Sequence, residues 1–195
     1  MNTIRTLILS ALMLAVAVAY GQSADSVRAG KEVVNAQMIG VGAAEILDTY
    51  LSPEKYKGTE LRYISHTIRR RGASRWSRML VHQGSFIYAD NRSGNGGEMA
   101  GMYTFTYGLH HNWRFLGGAL RVMAGGQADA EAGFVYNTRN GNNPAQARLA
   151  LNIAPSAAAA YGFRLGCVPV WARYEASVPL FGLMFSPNYG QSYYE

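Results

Sequence analysis

Charged side chains of both signs recur at alternate positions in the second half of this chain. Five arginines and three carboxylates each keep one parity within their segment, namely Arg114, Arg121, Asp129, Glu131, Arg148, Arg164, Arg173 and Glu175. Alternate positions share one face of a β-strand. On a face that lines a confined interior, such side chains form an ion-pair network that fills the space. An anion-preferring passage is the functional alternative, because an excess of arginine favours anions.

Histidine and serine are the other residue types here that could carry out chemistry. A histidine can act as the base for a serine nucleophile, and the candidates lie in neighbouring segments: His66, His82 and His110 with Ser65, Ser77 and Ser85. Their spacing forms no triad, and His110 and His111 point to opposite faces of one strand. No carboxylate or cysteine recurs at metal-ligand spacing. We therefore expect no catalytic residue, no metal and no cofactor.

The elements that must position these side chains are β-strands, and residues 99–115 show the clearest pattern. Aromatic and aliphatic residues dominate the odd positions from Met99 to Phe115, whereas Thr, His, Asn and Arg are found at the even ones. At about 3.3 Å per residue, the segment would span roughly 55 Å. Crossing a bilayer takes about 9–11 tilted strand residues. The pattern predicts a strand with lipid on one face and a polar interior on the other.

Further strands are predicted on both sides of this segment, at residues 36–47, 60–70, 76–90, 119–136, 147–165 and 170–180. Pro155 is expected at a bulge within the sixth strand, and a turn at Pro155-Ser156 that splits the strand is the alternative. The connections alternate between long and short, as in outer-membrane barrels. The expected fold is all-β, an antiparallel up-and-down transmembrane β-barrel of seven strands, or eight if the sixth is split.

The first residues predict export. Arg5 precedes an uncharged apolar stretch at residues 7–19 and small residues, so residues 1–21 are expected to be a signal peptide; an uncleaved anchor is the alternative. Residues 22–35 are expected to form a flexible lead-in, and residues 36–195 the barrel. Removing the signal peptide lowers the net charge from +6 to +5. An exported basic protein suits anionic lipid rather than nucleic acid. Cys167 is the only cysteine, so no intrachain disulfide forms.

Three stretches resemble a family of Bacteroidales outer-membrane-type proteins catalogued as domain of unknown function 3316. They are LDTYLSP at residues 47–53, YNTRNGNNPAQA at 136–147 and FSPNYGQSYYE at 185–195. The resemblance covers the whole mature chain and implies a β-barrel and an exported location. It implies no activity and no catalytic residues. Members of the family look longer than this chain, so we expect a truncated barrel, with a complete eight-stranded barrel as the rival.

These observations predict an outer-membrane β-barrel without enzymatic activity, in a structural, surface or transport-associated role. Its expected partner is outer-membrane lipid, with an unidentified surface or periplasmic partner also open. Two alternatives come from other classes. One is a membrane-embedded enzyme that modifies lipids, and the other is a secreted soluble β-barrel whose oily strand faces turn inward around an apolar ligand.

Overall fold

The computed structural model describes residues 30–47, 55–72, 74–139, 141 and 144–185. Within them the chain forms eight antiparallel strands of one sheet: β1 (Lys31–Leu47), β2 (Lys55–Arg71), β3 (Trp76–Asp90), β4 (Gly97–Phe115), β5 (Leu120–Asn137), β6 (Ala145–Leu165), β7 (Val168–Ser177) and β8 (Phe181–Phe185). A 3-10 turn, Leu116–Gly118, joins β4 to β5. The predicted all-β, antiparallel up-and-down architecture is confirmed.

Strands β1 to β7 follow one another across the sheet in chain order. Their connections alternate, as predicted: residues 48–54, 91–96 and 138–144 form long links, whereas 72–75, 116–119 and 166–167 form short ones. We call the two ends of the sheet the loop end and the turn end accordingly. Gly117, Gly118 and Gly166 have positive φ, which glycine adopts without strain and which allows the short turns.

The last two strands lie end to end along the same edge of β6. Strand β7 pairs with residues 156–165 and β8 with residues 149–153. Between them, residues 178–180 lie opposite only two residues of β6. Pro179 has no N–H to donate, while the N–H groups of Val178 and Leu180 bond to the carbonyls of Pro155 (3.2 Å) and Ile153 (3.0 Å). Two segments therefore form one interrupted edge strand.

The predicted strand limits need two corrections around this edge. Strand β6 runs unbroken through Pro155, so the extra residue lies opposite Pro155 in the edge strand and not at Pro155 itself. The predicted last strand, residues 170–180, is instead β7 ending at Ser177, followed by the unpredicted β8. At the other edge, β1 begins at Lys31, five residues before its predicted start at Ala36. The predicted signal peptide and residues 186–195 lie outside the described residues.

The two faces of the sheet are the reverse of those in a water-soluble β-sandwich. On β4, Thr106, His110 and Asn112 are buried, whereas Tyr107 and Leu109 between them are exposed. The polar side chains at the even positions of residues 99–115 therefore face inward. The apolar side chains at the odd positions face outward, as the alternation predicts. Large apolar side chains are exposed along the whole sheet, with Ile39, Val41 and Ile153 at 62–74%. In a water-soluble protein, large apolar side chains are instead mostly buried in the core.

Side chains from distant strands meet on the inner face, which shows that the sheet is curled. A guanidinium N–H of Arg148 on β6 donates to the carbonyl of Leu47 on β1 at 3.0 Å. Ile46 of β1 packs in one apolar cluster with Tyr56, Ala89 and Val135 of three other strands. In the described part of the chain the backbone of β1 forms a strand ladder with β2 alone, so the sheet is curled but not closed.

Candidate functional site: the polar interior

A carboxylate and three arginines meet at the turn end of the interior. Glu32 is directly opposite Arg70 in the β1–β2 ladder and accepts from its Nε at 2.9 Å. Arg121 of β5 reaches Glu32 from the far wall, with a nitrogen-to-oxygen distance of 2.9 Å, and Arg114 of β4 approaches to 3.8 Å. This Glu32 cluster links the first strand to the fourth and fifth strands through side chains. Both carboxylate oxygens of Glu32 have arginine partners.

A second ionic cluster centres on Glu175 of β7. Arg173, two residues earlier on the same face, donates to its carboxylate at 2.7 Å. His66 of β2 places Nε2 3.4 Å from the same oxygen, across the interior. A guanidinium nitrogen of Arg173 also lies 3.7 Å from the sulfur of Met123 on β5. The cluster therefore joins strands from both sides of the curled sheet.

A buried histidine and serine form a short polar contact deep in the interior. His110 of β4 and Ser156 of β6 place Nε2 and Oγ 2.6 Å apart. Strand β5 runs between them, and Gly125 is directly opposite both residues. A Cβ on Gly125 would lie 1.9 Å from the carbonyl oxygen of Leu109. The missing side chain therefore allows the close approach of the β4 and β5 backbones beside the His110–Ser156 contact.

The His110–Ser156 distance is that of a base and a nucleophile, but the surroundings do not support catalysis. Both residues are buried, at 3% and 5% exposure, so no bulky substrate reaches Ser156. No carboxylate is hydrogen-bonded to His110 in the part of the chain that is described, and such a partner normally orients the base. The pair is fully explained as two buried polar groups that satisfy each other.

The predicted serine candidates do not pair with histidine side chains. Ser77 donates to the backbone carbonyl of His110 at 3.5 Å and accepts from the side-chain amide of Asn112 at 2.9 Å. His82 lies on the outer face and bonds to the hydroxyl of Tyr103 at 2.7 Å. Ser65 also keeps the outward parity of β2, next to His82 in the ladder. Among the described residues, the serine whose side chain bonds to a histidine side chain is Ser156, which sequence reasoning missed.

Buried side chains pack together at the loop end of the interior. Asn137 donates from Nδ2 to the Tyr56 hydroxyl at 3.2 Å and to a carboxylate oxygen of Glu98 at 3.0 Å. Glu98 is completely buried and Asn137 is 6% exposed. They lie beside the apolar cluster of Ile46, Tyr56, Ala89 and Val135. This end therefore combines strong burial with hydrogen bonds between its polar side chains, which such burial requires.

The eight predicted interior charges do not form one network. Arg114 and Arg121 bind Glu32, Arg173 binds Glu175, and Arg148 binds a backbone carbonyl. Asp129 accepts from the Thr106 hydroxyl at 2.6 Å and from Gln127 at 3.1 Å. Glu131 keeps the inward parity and is half-buried, whereas Arg164 is exposed near the turn end.

Three members of the ionic clusters were missed by sequence reasoning. Glu32 falls in the segment predicted as a flexible lead-in, and Arg70 is the last residue of the predicted strand at residues 60–70. His66 was considered only as a base for a neighbouring serine. The signal that could have found them is parity, since Glu32, His66 and Arg70 all share the inward parity of β1 and β2.

Three further observations on the described residues concern metal binding, membrane-spanning helices and the cysteine. No group of three or more His, Cys, Asp or Glu side chains in them is arranged to hold a metal ion. No helix among these same residues is long and apolar enough to cross a membrane. Cys167 is exposed and unpaired at the last short turn.

Together, the fold and the interior define a curled, antiparallel up-and-down β-sheet protein with a polar inner face and an apolar outer face. The chain belongs to the family described as protein of unknown function (DUF3316), whose sequence profile matches residues 5–195. The family assigns no activity. No curated protein and no solved structure matches the chain.

Proposed function

We propose that the protein is a β-barrel protein of the bacterial outer membrane with a structural or surface role and no catalytic activity. One observation carries the proposal, namely the reversal of polarity between the two faces of the sheet. Thr106 and His110 are buried while Tyr107 and Leu109 are exposed. Exposed apolar patches of this extent mark contact with a membrane or a partner. Strands that alternate apolar-out and polar-in are typical of membrane barrels.

The interior favours a structural role over an anion passage. Buried side chains occupy the loop end, namely Glu98, Asn137 and the neighbouring apolar cluster. Arginines of the interior already have partners: Arg121 and Arg173 bind carboxylates, and Arg148 binds a backbone carbonyl. A passage selective for anions needs arginines that are free to meet the passing ion. A transport-associated role would therefore require another conformation of the loop end.

The other two candidate functions have less support. A soluble barrel that binds an apolar ligand needs oily strand faces turned inward, but those faces are the exposed ones here. A lipid-modifying enzyme needs an accessible nucleophile, and the serine of the His110–Ser156 pair is buried. An outer-face histidine, His82, is exposed but bonds to Tyr103 rather than to a serine.

A charge placed on the outer face distinguishes a lipid environment from water. Leu151 is 58% exposed at the middle of β6. In a membrane barrel, Leu151→Arg should lower the free energy of unfolding from vesicles by about 2–4 kcal/mol, falling to about 0–1 kcal/mol near the interface. The matched control is Thr59→Arg, which is outward and exposed near the loop end of β2. In water, a substitution at an exposed site changes stability by only about 0.5 kcal/mol.

Localisation is tested by fractionation of the cells that make the protein, together with a heat-dependent gel shift. We expect the protein in the outer-membrane fraction, resistant to extraction by high salt, and with altered mobility when it is not boiled. An extractable protein without a gel shift, and with Leu151→Arg as stable as the wild type, would contradict the proposal. Lipid mass spectrometry of cells carrying the Ser156→Ala chain tests the enzyme alternative, because an unchanged lipid profile excludes that nucleophile.

A further inference from the structure

Four cations lie together on the outer face at the turn end of β1, β2 and β3. They are paired across the strands, with Lys31 directly opposite Arg71 and Arg69 directly opposite Arg78. All four residues are exposed. Side chains directly opposite each other in a ladder have Cβ atoms about 4.5–5.5 Å apart. We call these four residues the outer cation patch.

The outer cation patch has no acidic partner among the described residues, in contrast to the other end of the same strands. At the loop end, Lys55 and Lys57 both lie near the carboxylate of Glu45, at 3.7 and 3.5 Å. Lys57 is also directly opposite Asp90. None of the four patch residues takes part in an ion pair with the rest of the described chain. Like charges directly opposite each other are destabilising, so the patch is suited to an external anion.

The surroundings of the patch are those of a membrane interface. Trp76, 58% exposed, follows the same outward parity two residues from Arg78. It stacks edge-on against His111 with ring centroids 5.3 Å apart, and His111 lies 4.5 Å from the ring of Trp113. Tryptophan is enriched where the apolar region of a membrane meets the head groups. Arginine beside it reaches the level of lipid phosphates.

We propose that the outer cation patch binds the phosphate group of an anionic lipid at the membrane surface that meets the turn end. This proposal rests on the proposed function, because it requires the apolar outer face to lie in lipid. Three of the four cations are arginines, whose planar guanidinium donates two parallel hydrogen bonds to a phosphate. The ladder places two pairs of cations side by side, so one phosphate can be contacted from β2 and β3 together.

Native mass spectrometry of the full chain in detergent tests the binding, with phosphatidic acid as the probe and diacylglycerol as the lipid without phosphate. Each interfacial cation contributes about 1 kcal/mol to the attraction of an anionic surface. The Arg69→Gln, Arg78→Gln double variant should therefore weaken phosphatidic acid binding about thirtyfold. The matched control is Lys55→Gln with Lys57→Gln, which removes the same charge from the other end. We expect less than a twofold change there.

Three outcomes would overturn the proposal. Equal losses in the two double variants would show that only net charge matters. Wild-type binding of diacylglycerol as strong as that of phosphatidic acid would exclude a phosphate site. Displacement of the lipid by an equal concentration of inorganic phosphate would identify free phosphate as the ligand. The gel shift and membrane fractionation are read on the same variants, and an intact shift with lost lipid binding separates this proposal from the proposed function.

Discussion

The two ends of the polar interior treat their charges in opposite ways. At the loop end, Glu98 is completely buried and lies with Asn137 beside packed apolar side chains. At the turn end, the Glu32 carboxylate keeps 36% side-chain exposure and Arg114 keeps 49%. A buried charge is tolerated only with partners and tight packing, whereas a half-exposed one also interacts with water. The loop end is therefore the more buried end of the interior, and the turn end is the more exposed one.

This difference predicts an order of sensitivity to substitution. Changes that disturb the close backbone approach of β4 and β5 should lower the free energy of unfolding most. Changes in the apolar cluster of the loop end should follow. Loss of a single buried hydrogen bond should cost less, and loss of the Glu32 cluster least. Each change has a control variant, so each step of the expected order of stability losses can be tested and contradicted. Stability is measured by urea unfolding in lipid vesicles throughout.

The largest effect is expected from Gly125→Ala. A Cβ at this position would lie 1.9 Å from the Leu109 carbonyl oxygen and 2.9 Å from the Cα of His110, so β4 and β5 must separate locally. We expect a loss of at least about 4 kcal/mol, enough to remove the heat-modifiable species. The control is Gly126→Ala, where the nearest atom lies 3.6 Å away. Equal stability of the two variants would show that the backbones of β4 and β5 do not approach closely at Gly125.

This close approach also shows where sequence reasoning stops. The parity of residues 99–115 and 119–136 predicted two strands and their polar faces correctly, because the period of a strand is visible in the chain itself. The contact between His110 and Ser156 depends on which residue of β5 lies between them. Register follows from pairing along both neighbouring ladders, and alternation alone does not specify it.

The clusters of the interior were partly predicted for the same reason. Arg121, Arg173 and Glu175 were assigned to the inner face by parity, and their inward placement follows from the local pattern. Their partners Glu32 and His66 come from the opposite wall, and the chain is folded back several times between them. A contact of that kind depends on the curl of the whole sheet, which no local segment encodes.

The second largest effect is expected from Ile46→Ala at the loop end. Ile46 is 5% exposed and packs with Tyr56, Ala89 and Val135, so truncation leaves a cavity. We expect a loss of about 3 kcal/mol, typical of a large-to-small change in a packed core. Val34→Ala on the same strand is the control, because Val34 keeps the inward parity near the turn end but is 49% exposed. A difference of less than about 1 kcal/mol between the two would contradict tight packing at the loop end.

A smaller effect is expected from Ser156→Ala, which leaves the His110 ring nitrogen buried without its partner. The loss of a partner for a buried polar group costs about 1–3 kcal/mol. Ser177→Ala is the control, because Ser177 lies directly opposite Ser156 on β7 and is exposed. If the two alanine variants are equally stable, water or another group satisfies the His110 ring nitrogen. The His110–Ser156 pair then does not hold β4 and β6 together.

The smallest effect is expected from Glu32→Gln, although it removes the shared partner of Arg70 and Arg121. Glu32 is half-exposed, so solvent screens its ion pairs, and we expect a loss of about 0.5–1 kcal/mol at low salt. At 1 M salt the Debye length falls to about 3 Å, and most of this loss should disappear. The salt dependence separates a screened ionic contribution from a packing defect.

Glu45→Gln is the control for charge itself, because Glu45 also lies near two cations, Lys55 and Lys57, but on the outer face and more exposed. We expect almost no loss there, since exposed pairs at 3.5–3.7 Å contribute little. If Glu32→Gln proves as damaging as Ile46→Ala, and equally so at high salt, the turn end is packed as tightly as the loop end. The interior would then be tightly packed at both ends, and the proposed difference in packing between the loop end and the turn end would be wrong.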